Sequence, residues 1–267
     1  MRVVIFCGGL GVRMGEATER MPKPMIPVGS QPILWHIMKY YARWGHTEFI
    51  LCLGHKAEAI KNYFLTYNEA LANDFVLSDG GKRVNLMRSD IDDWTITFVD
   101  TGIDATIGER LKAVEPYLGE DPVFLATYGD GLTDAPLTTM IEHFEEQKRT
   151  AMFLSVRPAI NVHVVEATKD NIVRGIENIR AGNVRINGGF FVLRREILDL
   201  IEPGDELVER PFKRLIEAEQ LIAYPYEGFW APMDTLKDKQ YLDSLVAAGT
   251  TPWLSPGRIA VVPEYLP

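Results

Sequence analysis

Short, continuous apolar runs alternate along the chain with segments in which apolar residues recur at helical spacing. The runs at 2–7, 47–53, 94–100 and 121–128 are typical of strands that are buried on both faces of a parallel sheet. Segments 31–45, 56–65 and 136–148 have a helical period, and Pro32 and Gly45 fit the two ends of the first segment. This alternation predicts an α/β fold with a doubly wound, mostly parallel sheet.

The second half of the chain predicts more strands at 151–156, 183–193 and 221–226, and helices near 195–201, 208–220 and 235–247. Residues 66–93 are polar and alternate only weakly, so we expect an inserted excursion with a hairpin that could serve oligomerisation. A second hairpin is expected at 162–167 and 172–176, over the functional site. We predict a single domain over 1–250 and an extended, Pro-rich C-terminal tail over 251–267.

Composition narrows the class of protein. Of the 267 residues 46% are hydrophobic, which is enough for one large core. The formal net charge of -9 argues against a general nucleic-acid binder, because such proteins normally present a basic face. Cys7 and Cys52 lie in apolar runs and are expected to be buried and unpaired. Neither a signal peptide nor an apolar run of bilayer length is visible, so we expect a cytoplasmic protein without a membrane partner.

A Gly-rich loop from Gly8 to Gly15 follows the first strand. Open α/β sheets bind nucleotides at the carboxyl ends of their strands, and glycines let backbone N–H groups approach phosphate oxygens. Arg13 adds a planar cation suited to phosphate. The loop lacks the Gly-Lys-Ser/Thr end of a Walker loop and fails the Gly-x-Gly-x-x-Gly spacing of a Rossmann fingerprint. On its own it fits either a phosphate loop or an ordinary tight turn.

Lys23 stands between Pro22 and Pro24, shortly after this loop. Each proline fixes its own φ and restricts the residue before it. We therefore expect an extended, stiff segment that presents the lysine to the same site.

Two acidic residues follow strands. Asp130 lies between two glycines after the run 121–128, where it is well placed to hold Mg²⁺ on bound phosphates, although a turn aspartate is the plainer interpretation. Asp234 follows an aromatic strand at the start of the helix at 235–247. It is either the N-cap of that helix or a second metal ligand.

Other strand ends carry weaker candidates. Gly54 lies at the edge where ligands gather, and residues 187–189 offer small side chains where a ligand can approach. The loop 101–112 runs into a helix start near Arg110, which is either a solvated helix end or a place for an anion or a base edge. His36 is interpreted as part of a packed helix face.

The pattern Gly-Gly-x-Gly-x-Arg-Met followed by Pro-Lys-Pro-Met resembles the N-terminal signature of the sugar-1-phosphate nucleotidylyltransferases. Similar stretches extend over nearly the whole chain: PILWHIMKYY, VDTG followed by GERLK, TYGDG, INGGFFVL and GFWAPMDTLKDK. The last is most similar to the cytidylyltransferase subgroup. The resemblance implies a Rossmann-like, GT-A-like nucleotidyltransferase fold and transfer of a CMP group from CTP to a sugar 1-phosphate such as glucose 1-phosphate, with release of pyrophosphate. It also implies Mg²⁺ as cofactor, a homo-oligomer, and a place in nucleotide-sugar and cell-surface polysaccharide biosynthesis.

The resemblance further implies roles for individual residues. Arg13 and Lys23 correspond to the catalytic pair, and Asp130 and Asp234 to the acids that bind Mg²⁺. The positions that match the CTP site are Gly8, Gly9, Gly11, Arg13, Gly54, Arg110 and Gly129, with Arg110 serving in part across subunits. The positions that match the sugar-phosphate site, in or near the acceptor region at 157–185, are Glu177, Arg180, Asn187 and Gly188.

Three departures from the family pattern leave the acceptor open. Val12 replaces a threonine and so removes a hydroxyl from the triphosphate loop, and residues 161–163 replace an Arg-Phe-Gly segment. Asn178 stands where the family has the lysine that grips the sugar phosphate, so that Arg180 or Arg185 would have to supply a cation. The acceptor could accordingly be a different sugar phosphate, or a smaller phosphorylated or phosphonate molecule.

A catalytically inactive, nucleotide-binding regulatory subunit is a further alternative. Retention of Arg13, Lys23, Asp130 and Asp234 together argues against it, because a pseudoenzyme has no chemical reason to keep them. A dehydrogenase is disfavoured, since no Rossmann fingerprint with a downstream ribose-binding acid is clear. The residues alone do not settle which base the nucleotide carries.

Overall fold

Strands and helices alternate through the computed structural model, which describes residues 1–9, 21–160, 162–180 and 182–255. The strands are β1 Val3–Phe6, β2 Pro27–Val28, β3 Gln31–Pro32, β4 Glu48–Leu53, β5 Phe75–Ser78, β6 Arg83–Leu86, β7 Thr95–Asp100, β8 Val123–Tyr128, β9 Gly131–Thr133, β10 Ala151–Val156, β11 His163–Ala167, β12 Val173–Asn178, β13 Ile186–Asn187, β14 Phe191–Arg194, β15 Leu221–Pro225 and β16 Trp230–Pro232. The α-helices are α1 Ile33–Ala42, α2 Ala57–Leu65, α3 Glu69–Ala72, α4 Ile107–Ala113, α5 Leu137–Gln147, α6 Arg210–Glu217 and α7 Leu236–Ala247. Short 3-10 helices lie at Lys23–Met25, Asp79–Gly81, Glu115–Tyr117, Arg195–Leu200 and Pro252–Leu254. Within these ranges no helix combines the length and the hydrophobicity needed to cross a lipid bilayer.

The central sheet has eight strands. Seven of them pair in the order β13–β10–β14–β8–β1–β4–β7, and the eighth, β15, pairs with β10. Strands β8, β1, β4 and β7 are parallel neighbours, and β14 is antiparallel to both β8 and β10. The predicted doubly wound, mostly parallel sheet is confirmed. Because β1 is flanked by β4 on one side and by β8 on the other, the chain order reverses there, and open α/β sheets bind ligands at this switch point.

Alternate residues of the central strands face two separate cores. Val3, Ile5 and Cys7 join the core under α1, α2, α5 and α7, whereas Val4 and Phe6 join the core under α4 and α6. A strand with helices on both faces needs apolar residues at every position, which is why these strands appear in the sequence as continuous runs. Both cysteines are buried and outside any disulfide, as predicted.

Two hairpins lie outside the central sheet. β5 pairs with β6 inside the excursion at 66–93, and β11 pairs with β12 in the second half of the chain, so both predicted hairpins are present. Val76 and Leu77 are adjacent in β5 and are 52% and 57% exposed. Neighbours in a strand point to opposite faces, so both faces of this hairpin carry exposed apolar side chains. The use of β5–β6 in assembly, and the location of β11–β12 over the site, stay predictions.

Two sequence predictions of local structure are wrong. The strand expected at 183–193 is divided into β13 and β14, because Gly189 and Phe190 adopt positive φ values of 75° and 50° that no extended strand contains. The tail expected from 251 does not begin there. Residues Pro252–Leu254 form a 3-10 helix whose Trp253 is fully buried, so packing continues past residue 250. Residues 256–267 lie outside the described ranges.

Trp253 fastens this C-terminal segment to α1. Its indole Nε1–H donates to Nδ1 of His36 at 3.1 Å, and the opposite ring nitrogen of His36 donates to the Val28 carbonyl oxygen at 2.9 Å. An accepting Nδ1 requires a neutral imidazole, and burial lowers the pKa of His36, which favours that form. His36 is therefore a packed structural residue, as predicted.

Trp253→Phe is expected to lower the free energy of unfolding by about 1–3 kcal/mol, because buried Nδ1 of His36 loses its donor. Urea unfolding followed by circular dichroism measures the change. Tyr117→Phe is the matched control, since the Tyr117 side chain is 47% exposed and surface changes of this kind alter stability by about 0.5 kcal/mol or less. Equal stability of the two variants would contradict the role given to Trp253.

Candidate active site

A pocket of about 330 Å³ lies at the switch point, between the carboxyl ends of β1 and β8. Its walls come from the loop after β1, the 3-10 turn that carries Lys23, the start of α4 and the end of β8. Five residues predicted from the sequence as site residues line this one pocket: Gly8, Gly9, Lys23, Gly129 and Asp130. The structure therefore brings these separated motifs together in one pocket, and their roles in binding stay predictions.

Lys23 lies directly between the two candidate metal ligands. Its Nζ donates to Asp130 Oδ2 and to Asp234 Oδ1, in each case at 2.6 Å. Lys23 is 8% exposed, whereas the side chains of Asp130 and Asp234 are 33% and 30% exposed. One ammonium and two carboxylates leave a net charge of −1, so the cluster still attracts cations. The two acids meet at one point although they stand 107 and 211 positions from Lys23 in the sequence.

The backbone around Lys23 differs from the extended segment predicted. Pro22 is extended, with ψ of 151°, but Lys23 is the first residue of a 3-10 turn in which the Met25 N–H donates to the Pro22 carbonyl oxygen at 2.8 Å. The expectation fails at Lys23 because Pro24 occupies the second position of this turn, where a missing N–H leaves no helical hydrogen bond unmade. The turn still holds Lys23 stiffly, and its ammonium faces the acids.

Gly129 allows this turn to pack against the sheet. A Cβ at Gly129 would lie 2.8 Å from the Phe6 carbonyl oxygen and 3.1 Å from Cγ of Pro24. Both distances are below normal van der Waals contact, so a side chain here would push apart the strand and the segment that carries Lys23. Gly131, on the other side of Asp130, has no neighbour closer than 4.0 Å to such a Cβ.

Gly129→Ala is therefore expected to lower kcat/KM about 10- to 10²-fold, since displacements of about 1 Å at a reacting centre have effects of this size. Overpacking is also expected to lower the free energy of unfolding by about 1–3 kcal/mol. Gly131→Ala is the control, and it should stay close to the parent in both measurements. Steady-state kinetics and urea unfolding of the pair decide the matter, and two equally active variants would contradict the argument.

Asp234 is not the N-cap of α7. Thr235 is the cap: its Oγ1 accepts from the Asp238 N–H at 3.2 Å, and Asp238 Oδ2 accepts from the Thr235 N–H at 2.8 Å. This reciprocal capping box satisfies the helix end without Asp234. The choice that the sequence left open is thus decided against the cap, and the Asp234 carboxylate is directed to Lys23.

The electrostatics of the pocket follow from burial and the two acids. Burial by itself lowers the pKa of the Lys23 ammonium, but Asp130 and Asp234 outweigh it, so the pKa lies above the ordinary value. Burial raises the pKa of Tyr128 to about 12 and the pKa of the Cys7 thiol well above its usual range. At neutral pH Lys23 is accordingly a cation, while Tyr128 and Cys7 are neutral.

Arg110 is buried at the carboxyl ends of the central strands. Its guanidinium donates to Thr101 Oγ1 at 2.7 Å and to the carbonyl oxygens of Ile103, Leu53 and Gly8 at 3.1, 3.2 and 3.3 Å. These partners lie at the end of β4 and just after β1 and β7, so Arg110 ties three strand ends together. Its part in binding CTP stays a prediction; the structural role was not visible in the sequence.

The space for this guanidinium depends on two predicted nucleotide-site glycines. A Cβ at Gly8 would lie 2.0 Å from Nη1 of Arg110, and a Cβ at Gly54 would lie 2.9 Å from the same atom. Both glycines are required for packing, whatever they also contact in a bound nucleotide.

The helix start at α4 is not a solvated end. Thr106 and Glu109 form a capping box, and the Ile107 N–H donates to the Glu206 carboxylate at 3.2 Å. A Cβ at Gly108 would lie 2.3 Å from the Asp205 carbonyl oxygen. The first turn of α4 thus packs on residues 202–206. The anionic group beside this helix start is the Glu206 carboxylate of the same chain.

The predicted acceptor residues lie on or shortly after β12 and β13. Asn187 ends β13; its Nδ2 donates to Tyr128 OH at 3.4 Å and its Oδ1 accepts from the Gly189 N–H at 2.9 Å. Gly188 accepts from the Trp230 indole N–H at 2.9 Å, and a Cβ there would meet Trp230 at 3.0 Å. Glu177 is exposed on β12.

The two arginines considered as replacement cations have different surroundings. Arg185 donates to the Ser155 carbonyl oxygen at 2.7 Å and forms an ion pair with Glu227. Arg180 donates to the carbonyl oxygen of Ala159 and, through its backbone N–H, to Asn178 Oδ1 at 2.9 Å. Arg185 shares the Glu227 carboxylate with Arg157, whose Nε lies 2.8 Å from Oε2 of that residue.

Sequence reasoning missed Tyr128 and Trp230, which orient the acceptor-side residues from strand ends. The signal available was position: each aromatic stands within four residues of a candidate acid. Two predicted site residues, Gly11 and Arg13, lie outside the described ranges, as does Val12.

Comparisons with known proteins agree with this geometry. The model of the family described as "Nucleotidyl transferase" matches residues 2–206. Glucose-1-phosphate cytidylyltransferase of Salmonella typhimurium is 37% identical over 254 residues, which cover 95% of this chain and 98% of that protein. A probable glucose-1-phosphate cytidylyltransferase of Bacillus subtilis is 35% identical over 255 residues, covering 95% and 99%.

Solved structures agree at the level of fold. A UDP-glucose pyrophosphorylase complexed with UDP-glucose superposes with a TM-score of 0.69 at 16% identity, covering 93% of this chain and 98% of the other. The family model matches residues 2–206, and two cytidylyltransferases are 35–37% identical to the chain over nearly its full length. This chain therefore belongs to the nucleotidyl transferase family.

Proposed function

We propose that this chain transfers a CMP group from CTP to glucose 1-phosphate and releases pyrophosphate, as the names of its Salmonella and Bacillus relatives indicate for those proteins. The observation that carries the proposal is the meeting of Lys23, Asp130 and Asp234 at the switch point of the sheet. A lysine and two acids at the carboxyl edge of the sheet suit nucleotidyl transfer. In that reaction the negative charge of the phosphates must be neutralised and the reactants must be aligned.

In this reaction an oxygen of the acceptor phosphate attacks the α-phosphorus of CTP, and pyrophosphate leaves in line. Lys23 would stabilise the negative charge that builds up around the α-phosphate. The N–H groups of the Gly8–Gly9 loop, with Arg13, would hold the β- and γ-phosphates of the leaving group. No proton shuttle is required, since the attacking phosphate oxygen is already ionised.

Asp130 and Asp234 would hold the Mg²⁺ ion. Their carboxylates fit this role because they already converge on one cation, the Lys23 ammonium, at 2.6 Å each. Carboxylate oxygens are the ligands that Mg²⁺ prefers, together with phosphate oxygens and water. When bound, the ion would neutralise charge on the α-phosphate and orient it.

A different acceptor phosphate is the second candidate, and one observation favours it. Asn178, which replaces the expected lysine, accepts the Arg180 N–H through Oδ1 at 2.9 Å, a turn contact that lysine cannot make. The acceptor side is therefore built differently at this position. We propose that Arg180 or Arg185 supplies the cation that contacts the acceptor phosphate.

We also propose that the protein is a homo-oligomer in the cytoplasm. The exposed apolar side chains on both faces of the β5–β6 hairpin support an assembly, since an isolated two-stranded hairpin is only marginally stable in water.

Pyrophosphate release with Mg²⁺ tests the function. CTP is compared with UTP, dTTP and GTP, each with a panel of acceptors headed by glucose 1-phosphate. Release with CTP and glucose 1-phosphate supports the main proposal, and release only with another acceptor supports the second candidate. No release with any pair, despite CTP binding, would contradict both and favour a non-catalytic nucleotide-binding subunit.

A further inference from the structure

One lysine side chain fills the space between the two candidate metal ligands. Lys23 Nζ lies 2.6 Å from a carboxylate oxygen of Asp130 and 2.6 Å from one of Asp234. Mg²⁺ binds oxygen ligands at about 2.0–2.1 Å, so an ion held by the same two oxygens would lie close to the ammonium and compete with it for them. A monovalent and a divalent cation repel each other at such a separation, and only one of them can occupy the site.

The ammonium has the advantage over a metal ion while no nucleotide is bound. Lys23 is tethered, and its backbone is fixed by the turn in which the Ile26 N–H donates to the Lys23 carbonyl oxygen at 3.1 Å. The effective concentration of the Lys23 ammonium at Asp130 and Asp234 is therefore high. In the described part of the chain no cluster of three or more His, Cys, Asp or Glu side chains could hold a metal. Two carboxylates alone leave most of the octahedral shell of Mg²⁺ to other ligands.

We propose that Lys23 closes the metal site of the nucleotide-free protein, and that a divalent cation enters between Asp130 and Asp234 only together with the nucleotide. Lysine is a compact charge on a flexible stem, so its ammonium can move from the carboxylates to a phosphate oxygen without a change of backbone. The bound phosphates would then supply the missing metal ligands. This inference rests on the proposed function in one respect, that the ligand which draws Lys23 away is a nucleoside triphosphate.

The consequence is that metal and nucleotide bind with positive coupling. Each should raise the affinity for the other by the same factor, because binding free energies are reciprocal. Lys23 would thus occupy the place between the two acids until its ammonium moves to a phosphate of the bound nucleotide.

Titration of the nucleotide-free protein with Mn²⁺, followed by the electron paramagnetic resonance signal of the free ion, tests the closed site. Lys23→Met removes the charge at nearly constant volume and is expected to bind one Mn²⁺ about ten-fold more tightly, or better, than the parent. Lys23→Arg keeps a cation at the site and should behave like the parent. Addition of Asp234→Ala to Lys23→Met should abolish the gained binding, which places the ion between the two acids.

Lys23→Gln replaces Lys23→Met if the latter fails to fold, as judged by circular dichroism. Parent and uncharged variant with Mn²⁺ affinities within about two-fold of each other would overturn the proposal. In a second arm, the parent is expected to gain Mn²⁺ binding when the non-transferable analogue α,β-methylene-CTP is added. An analogue that binds without raising the Mn²⁺ affinity would contradict the coupling.

The first arm contains neither nucleotide nor acceptor, so its result does not depend on CTP being the substrate. Failure of CTP turnover, or of analogue binding, counts against the proposed function and leaves the comparison of Lys23→Met with the parent valid. The two ideas can therefore fail separately.

Discussion

Lys23→Ala is expected to lower kcat/KM for pyrophosphate release about 10²- to 10³-fold, the loss that follows removal of one preorganised group that stabilises transition-state charge. The effect should appear in kcat as well as in kcat/KM, because the contact strengthens as negative charge accumulates around the α-phosphate. Steady-state kinetics with CTP, Mg²⁺ and glucose 1-phosphate measures both parameters.

The fold should survive this change. Lys23 contributes no core packing beyond its stem, and the two carboxylates that it leaves behind are 33% and 30% exposed, so water can solvate them. Lys213→Ala is the matched control, because Lys213 is exposed on α6 and is not among the residues that line the pocket. A Lys23→Ala enzyme that folds normally and keeps activity within a few-fold of the parent would remove Lys23 from the catalytic machinery.

The sheet and its pocket could be predicted because their physics is local. A strand covered on both faces must be apolar at each position, and loops at the carboxyl ends of parallel strands meet at one edge. That reasoning brings the loop after β1 and Asp130 together across a long stretch of sequence. The end of β8 and two glycines place Asp130 at this edge, although on their own they favour a turn aspartate over a metal ligand.

The remaining features depend on contacts that no local pattern encodes. Trp253 is buried because it packs against His36 of α1 and against Phe229, which are distant in sequence. The Pro-rich composition of the segment indicated only an extended tail. The clamp by Arg110 requires three loops to converge, which is a property of the assembled sheet. Gly129 and Gly131 look equivalent in the sequence. Only the folded chain shows that a Cβ at Gly129 would press on Phe6 and Pro24, while one at Gly131 would meet its nearest neighbour, Trp230, at an ordinary 4.0 Å.

The candidate metal ligand next to α7 shows the same limit. Asp234 and Thr235 are both good N-cap residues, and the sequence does not choose between them. The choice is made by Asp238, four positions after Asp234, whose carboxylate accepts the N–H groups of both residues, at 3.0 and 2.8 Å. The capping box assigns the helix end to Thr235 and leaves the Asp234 carboxylate to accept from Lys23.

Asp234→Ala and Asp238→Ala should therefore separate activity from stability. Asp234→Ala is expected to lower kcat/KM about 10²- to 10³-fold, because the metal and Lys23 lose one of their two anionic partners. Its free energy of unfolding should change by less than about 1 kcal/mol, since Lys23 keeps Asp130 and the helix keeps its cap. Asp238→Ala is expected to do the reverse, with stability lowered by about 1 kcal/mol and kcat/KM within a few-fold of the parent.

Kinetics and urea unfolding of the two variants, measured side by side, give four numbers for one short stretch of chain. If Asp234→Ala lost stability but retained turnover, the carboxylate would be structural and the metal site would have to be sought elsewhere. If Asp238→Ala lost turnover as severely as Asp234→Ala, the capping box would be positioning Asp234 through its backbone N–H, which Asp238 also holds. The expected pattern, opposite effects four residues apart, is specific to a helix that is capped by one residue and preceded by a metal ligand.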